Sequence, residues 1–391
     1  MDWLLLCVSD GSGALFLRGF FQPLKKKLER TARPEVSSFG TRRRGTPKLF
    51  LTNYMSRKYF FLMITLILVV QGSCGQVLRK RTTLLMGGRF DITIVAKDSV
   101  SAEQNIDAVI VEITRIENLI SDWKPDSQVS EVNQNAGIRP VKVDREVFEL
   151  TQRAIRFSEI TNGGFDISYA AMDKIWKFDG SMTQMPSAEA IQKSVEKVGY
   201  KNIILDSVQS TIFLKLKGMK IGFGALGEGY ATDKCRDMML AKGVKAGIIN
   251  GSGDMSTWGK QPNGKPWNIG ITNPFHPEKL VAVIPLKQGA VTTSGSYEKF
   301  VVFNGKRYSH IINPATGYPT TGLCSVTVFG SNAETANVLS TSLMVLGKKA
   351  GLLLLNKYTD YSCFMITDDG KVVKSKNFRK MKFKSKFSLR N

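Results

Sequence analysis

Between residues 90 and 96 the chain alternates, with Phe90, Ile92 and Ile94 apolar and Asp91 and Thr93 polar, and a period of two predicts a strand. The period then lengthens. Ile106, Val109, Ile110, Ile113, Ile116, Leu119 and Ile120 recur three and four residues apart, which predicts a helix over 102–120. Further helices are predicted over 145–161, over 187–198 behind Pro186, over 228–243 and over 333–346. Short runs rich in β-branched and aromatic residues predict strands at 202–205, 211–216, 247–249, 267–272, 281–284, 299–303, 326–329 and 362–367. Many of these follow one another across short turns. The pattern therefore predicts an α+β fold, a single large domain with a mainly antiparallel sheet core and flanking helices, over a parallel doubly wound sheet. No Pro/Ser/Gly linker and no internal repeat divides it.

One apolar run has neither period. "MSRKYFFLMITLILVVQGSCGQ", from Met55, has a basic start, an apolar stretch from Phe60 to Val70 and then small residues, the layout of a secretory signal too short to span a bilayer as an ordinary helix. Such a signal works at an N-terminus. Residues 1–54 are therefore read as an upstream start-site extension, 55–75 as the signal, 82–370 as the working domain and 371–391 as a basic tail. Cleavage after Gly75 and lipid attachment at Cys74 both remain open, although Gln71 stands where a lipid-bearing cysteine usually has leucine three residues before it. Either outcome implies export.

Charge follows the same division. The chain holds 55 Lys+Arg against 33 Asp+Glu, a net +22, and twenty of those charges fall in residues 1–81 and 371–391. The near-neutral body leaves no basic groove, which argues against nucleic acid as a partner. The tail interleaves lysines with Phe378, Phe383 and Phe387, a composition that suits an anionic membrane surface or plain solvation. Of five cysteines, Cys7 and Cys74 lie in the leader, and Cys235, Cys324 and Cys363 are too widely spaced for a zinc cluster and odd in number for a disulfide framework.

Chemistry concentrates in a few stretches. "GFGALG", residues 222–227, precedes a helix; its glycines let the backbone approach a pyrophosphate while the helix N-terminus offers free N–H groups. A nicotinamide-binding unit would place an acidic ribose partner at the end of the next strand, but that strand ends in "NGSGD", with Asp254 late and behind two more glycines. A phosphate loop is the stronger reading, with a nicotinamide oxidoreductase as the alternative. Asp254 itself is read as holding its glycine loop. His310, one of two histidines, stands in "GKRYSHIINPATGYPT"; an imidazole titrating near neutrality can take a proton from a hydroxyl, and on the residues alone a structural role is equally open. His276, between prolines, is given no role. Glu334, Asn337 and Thr341 are spaced i, i+3 and i+7 and share one helix face, which suits magnesium or a solvated stripe.

Together with "MGGRF" (86–90), "ISDWKPDSQVSEVNQNAG" (120–137), "GGFDIS" (163–168), "TTSGSYEKF" (292–300) and "ETANVLSTSLMVLG" (334–347), these motifs resemble, in order and spacing over nearly the whole body, the exported flavin transferases of the ApbE family. The resemblance implies a magnesium-dependent FAD:protein FMN transferase that splits FAD at its pyrophosphate, passes FMN to a Thr or Ser hydroxyl of an acceptor protein and releases AMP. It implies His310 as general base. It also implies cofactor contacts from Met86, Trp123, Gly164, Phe165, Asp166, Glu228 and Ile311, and a magnesium site from Glu334, Asn337, Thr341 and the backbone of Ala225. Asp166 also reads as a turn cap. Asn337 stands where the family usually has aspartate, and Gly222 where many members have a flavin-contacting aspartate. These departures keep a second reading, an exported FAD-binding protein or FAD pyrophosphatase without transfer. The partners implied are acceptor subunits of membrane redox complexes or other exported proteins, on the periplasmic side of the inner membrane, with Cys74 as the point of anchorage if the signal is a lipoprotein one.

Overall fold

The computed structural model describes residues 75–297, 299–380 and 384–385. The leader, Cys74 and residues 381–383 and 386–391 of the basic tail lie outside the described residues, and so do the expectations placed on them. Phe378, read from the sequence as part of a solvated or membrane-facing tail, is instead buried against Phe329 and Phe364.

β1 (Val77–Leu85) and β2 (Gly88–Ala96) pair as an antiparallel hairpin that turns through Met86 and Gly87, both at positive φ, 53° and 77°. Two left-handed residues in succession match the twist of the flanking strands; glycine adopts that conformation freely, methionine does not. α1 (Ser99–Ile120) starts at Asp98, whose carboxylate accepts the Ser101 amide at 2.7 Å. Its buried residues, Ala102, Ile106, Val109, Ile113, Ile116 and Ile120, form the predicted stripe and share a core with Phe90, Ile92 and Ile94. α2 (Gln128–Gln134), β3 (Val141–Lys142), α3 (Arg145–Ile160), a 3-10 turn over Ile167–Ala171, α4 (Ala188–Ser194), β4 (Ile203–Asp206) and β5 (Thr211–Leu214) follow, with β3, β5 and β4 forming a small sheet.

α5 (Gly227–Ala241) leads into β6 (Ala246–Gly251) and β7 (Asp254–Trp258). β8 (Trp267–Asn273) and β9 (His276–Leu286) make a long hairpin, β10 (Gly289–Gly295) follows, and β11 (Phe300–Phe303) and β12 (Lys306–Ser309) make a short one. β13 (Leu323–Gly330), α6 (Ala333–Leu355), β14 (Ser362–Thr367), β15 (Val372–Lys374) and β16 (Lys384–Ser385) complete the order.

The main sheet has eight strands, β1-β2-β6-β7-β10-β13-β14-β15, each pair antiparallel. The α+β architecture read from the sequence is therefore the one observed. Alternation sorts the two faces of the sheet. Ile249, Val326, Val328, Cys363 and Met365 pack toward the helices, whereas Ile248, Phe329, Phe364 and Ile366 pack against Trp267, Ile269 and Ile284 of the β8–β9 hairpin. The helices cross closely. A Cβ added at Gly229 of α5 would lie 2.7 Å from the Ala333 carbonyl oxygen of α6, and Asp233 of α5 accepts the Ala333 and Glu334 amides at 2.7 and 2.9 Å.

Two expectations change, and two central strands go unread in the sequence. The helix predicted over 187–198 stops at Ser194, and α6 runs on to Leu355 through a kink at Gly347 (φ 73°) instead of ending at 346. β7 and β10 give no apolar alternation because their buried side chains include hydroxyls; Ser256, for example, donates to Asp233 at 2.6 Å.

Candidate active site

One end of the main sheet opens into a cleft of about 660 Å³. Five pieces of chain meet there: Asp122 and Trp123 just past α1, the loop and 3-10 turn from Gly164 to Ala170, the glycine loop before α5, the β6–β7 turn with Ser252 and Asp254, and the end of β10. His310, Ile311 and Pro314 close one side, and Asn337 and Thr341 of α6 line another.

His310 is fixed by the backbone. Its Nδ1 lies 3.1 Å from the Lys299 carbonyl oxygen, an acceptor only, so Nδ1 carries the proton and Nε2 is left with its lone pair. Phe178 meets the ring edge-on at 6.4 Å. Burial lowers the imidazole from its ordinary 6.5, outweighing the opposing hydrogen bond to Lys299. The turn that follows is stitched to itself, Thr316 and Gly317 amides to Asn313 O at 3.2 and 2.9 Å, and to the body by Trp176 Nε1 donating to Gly317 O at 2.9 Å.

Asp166 lines the cleft, yet its oxygens serve the loop: Oδ1 accepts the Ser168 amide and hydroxyl at 2.8 and 2.6 Å, and Oδ2 the Tyr200 amide at 2.8 Å. Gly164 and buried Phe165 stand beside it in the cleft wall. Trp123 is 62% exposed, so its indole is a lip of the cleft and not part of the core. Met86 lies in an adjoining recess of about 160 Å³ that shares Asp122, Trp123, Gly224 and Glu228 with the main cleft. The Met86 amide donates to Glu117 Oε2 at 3.1 Å.

The glycine loop brings Ala225 and Glu228 into the cleft at the start of α5, a terminus with no side-chain cap. At Gly222 a Cβ would stand 3.2 Å from the Asp122 carboxyl group, so the carboxylate missing at 222 is matched in space by one from α1's end. Sequence reading missed Asp122, although Trp123 beside it was singled out. Burial raises the carboxyl groups of both Glu228 and Asp254, and the charge of Glu228 raises Asp254 further.

The metal set read from the sequence does not meet at one point. Ala225, Asn337 and Thr341 line the cleft, but Glu334 does not: it forms a two-pronged pair with Arg153, at 2.7 and 3.1 Å. The reason is geometric. Residues seven apart share a helix face but are separated by about 10 Å along the axis. Asp254, left to its loop by the sequence reading, is 5% exposed, lines the cleft and accepts a hydrogen bond from Asn337 Nδ2.

A family model matches residues 86–365, and it is that of the ApbE family. The chain belongs to the ApbE family. A FAD:protein FMN transferase of Klebsiella pneumoniae is 29% identical over 296 residues, covering 75% of this chain and 90% of the relative. One of Treponema pallidum is 27% identical over 330 residues, covering 79% and 91%. Among solved structures, an ApbE protein of Thermotoga maritima superposes with a TM-score of 0.71 at 29% identity, covering 78% of this chain and 99% of that one. The apo flavinyl transferase ApbE of Pseudomonas stutzeri does so with a TM-score of 0.69 at 26% identity, covering 78% and 97%. ApbE membership leaves the nicotinamide alternative for "GFGALG" without support.

Proposed function

We propose that this chain is a magnesium-dependent FAD:protein FMN transferase. The observation that carries the reading is His310, held as one tautomer with a free nitrogen, in the wall of the cleft that also contains the glycine loop and the oxygen-bearing face of α6. Family membership supports flavin as the group handled.

The chemistry follows from these groups. An acceptor Thr or Ser hydroxyl gives its proton to His310 Nε2 as its oxygen attacks the phosphorus on the FMN side of FAD. A new P–O bond forms, the bond to the AMP phosphate breaks, and AMP leaves. Trp123 at the lip offers a flat face to a flavin or adenine ring, and the open N-terminus of α5 offers N–H groups to phosphate oxygens.

A pyrophosphate brings negative charge to a cleft already lined by Asp122, Glu228 and Asp254, with Lys299 as its lysine and no arginine among the described lining residues. That balance calls for a cation. The carbonyl of Ala225, the amide of Asn337 and the hydroxyl of Thr341 are hard oxygen donors, and they fit magnesium. Magnesium, when bound, neutralises charge on the phosphates. The secretory-type layout read from Met55 supports export, and with it acceptors among exported proteins or membrane redox complexes on the periplasmic side of the inner membrane.

The test uses protein from Gln76 onward with FAD, magnesium and a Thr- or Ser-bearing acceptor peptide, reading AMP and peptide mass together. AMP with a peptide heavier by one FMN is the expected result. FAD binding with neither product would favour the binding-protein reading that Asn337 motivates.

A further inference from the structure

A cation in this cleft would meet an incomplete charge. The donors on hand, Ala225 carbonyl, Asn337 amide and Thr341 hydroxyl, are all neutral, and Glu334, the one acid in the set read from the sequence, is paired with Arg153 away from the cleft. Hard divalent cations are held by carboxylates as well as by neutral oxygens. The structure places one carboxylate in contact with these donors. Asp254, the first residue of β7, is buried, lines the cleft and accepts a hydrogen bond from Asn337 Nδ2.

That bond also orients the amide. Asn337 turns its NH₂ toward Asp254 and its Oδ1 the other way, where the Thr341 hydroxyl lies 3.4 Å off. Ser294 of β10 stands 3.3 Å from the same hydroxyl and 2.8 Å from that of Ser340, continuing the chain of oxygens across the cleft wall. The result is two oxygens, Asn337 Oδ1 and Thr341 Oγ1, one helical turn apart on α6, with the buried Asp254 carboxyl group directly behind the first.

We propose that Asp254 and Asn337 act as one unit in the cation site: Asn337 offers the oxygen, and Asp254, a positioning residue, holds the amide in that orientation and supplies the negative charge that the α6 donors lack. This rests on the magnesium-dependent reading above. It makes a specific claim about charge, namely that the carboxylate can be exchanged between positions 254 and 337.

The experiment measures Mn²⁺ binding to the FAD-free protein by electron paramagnetic resonance, with Mg²⁺ as competitor. Asp254→Asn should weaken binding about 10–100-fold, the usual effect of losing an outer-shell partner. The exchanged double variant, Asn337→Asp with Asp254→Asn, should return affinity to within a few-fold of wild type, while a purely structural role for Asp254 would not be rescued this way. Asp254→Asn binding Mn²⁺ like wild type would overturn the proposal, as would a folded exchange variant that stays more than tenfold weak. Should Asp254→Asn fail to fold, the exchange variant decides alone. Wild-type protein that binds no Mn²⁺ overturns it as well. Mn²⁺ binding that follows this pattern with no AMP release would instead refute the transferase reading and leave the charge unit standing.

Discussion

His310 and Lys299 meet twice: the carbonyl oxygen of Lys299 receives the His310 amide at 3.0 Å and faces the ring Nδ1 at 3.1 Å. One backbone oxygen thus sets both where the residue sits and which ring nitrogen is free. Because burial depresses the imidazole, its neutral, proton-accepting form persists to lower pH than that of a free histidine. The acid limb of the kcat profile for FMN transfer should therefore have its midpoint below 6.5. His310→Ala should lower transfer by about 10²–10⁴-fold and leave FAD affinity intact. A midpoint at or above 7, or lost FAD binding, would contradict this.

Glu334 is tied to Arg153 and stands off the cleft. Glu334→Gln should cost about 1 kcal/mol in urea unfolding, as expected for a partly exposed two-pronged pair, and leave Mn²⁺ affinity as it is. A loss of metal affinity would return Glu334 to the site.

Trp123→Ala separates packing from binding. An exposed indole contributes little to folding, so stability should move by no more than about 0.5 kcal/mol. FAD affinity should fall by about 0.5–1.5 kcal/mol, the worth of an aromatic pair, measured by quenching of flavin fluorescence.

Gly229→Ala puts a methyl group 2.7 Å from the Ala333 carbonyl, where backbone meets backbone and neither can swing aside. The variant should lose about 1–3 kcal/mol despite the better helix propensity of alanine, shown by a lower thermal midpoint. An unchanged midpoint would mean that the crossing of α5 and α6 is looser than drawn.

How far the sequence carried depends on how local each signal is. The α1 stripe is visible in the chain because a 3.6-residue period is written within it, and the strand at 90–96 likewise. β7 and β10 are central strands that bury Ser256, Thr257 and Thr292, so polarity hides them. In the site, the motifs brought Met86, Trp123, Glu228, His310, Asn337 and Thr341 to one region. Spacing alone misled at Glu334, since a helical face records direction and not height. The bond from Asn337 to Asp254 spans 83 residues of sequence, and no local pattern carries it.

The β1–β2 hairpin has one more consequence. Its turn, at Met86, stands in the recess beside the cleft, while the other end of β1 is Val77, nine residues back along an extended strand. At the rise of a β-strand that distance is roughly 25–30 Å. Whatever is attached ahead of Val77 is thus held one strand length from the Met86 recess, and β1 works as a ruler between that point and the edge of the cleft.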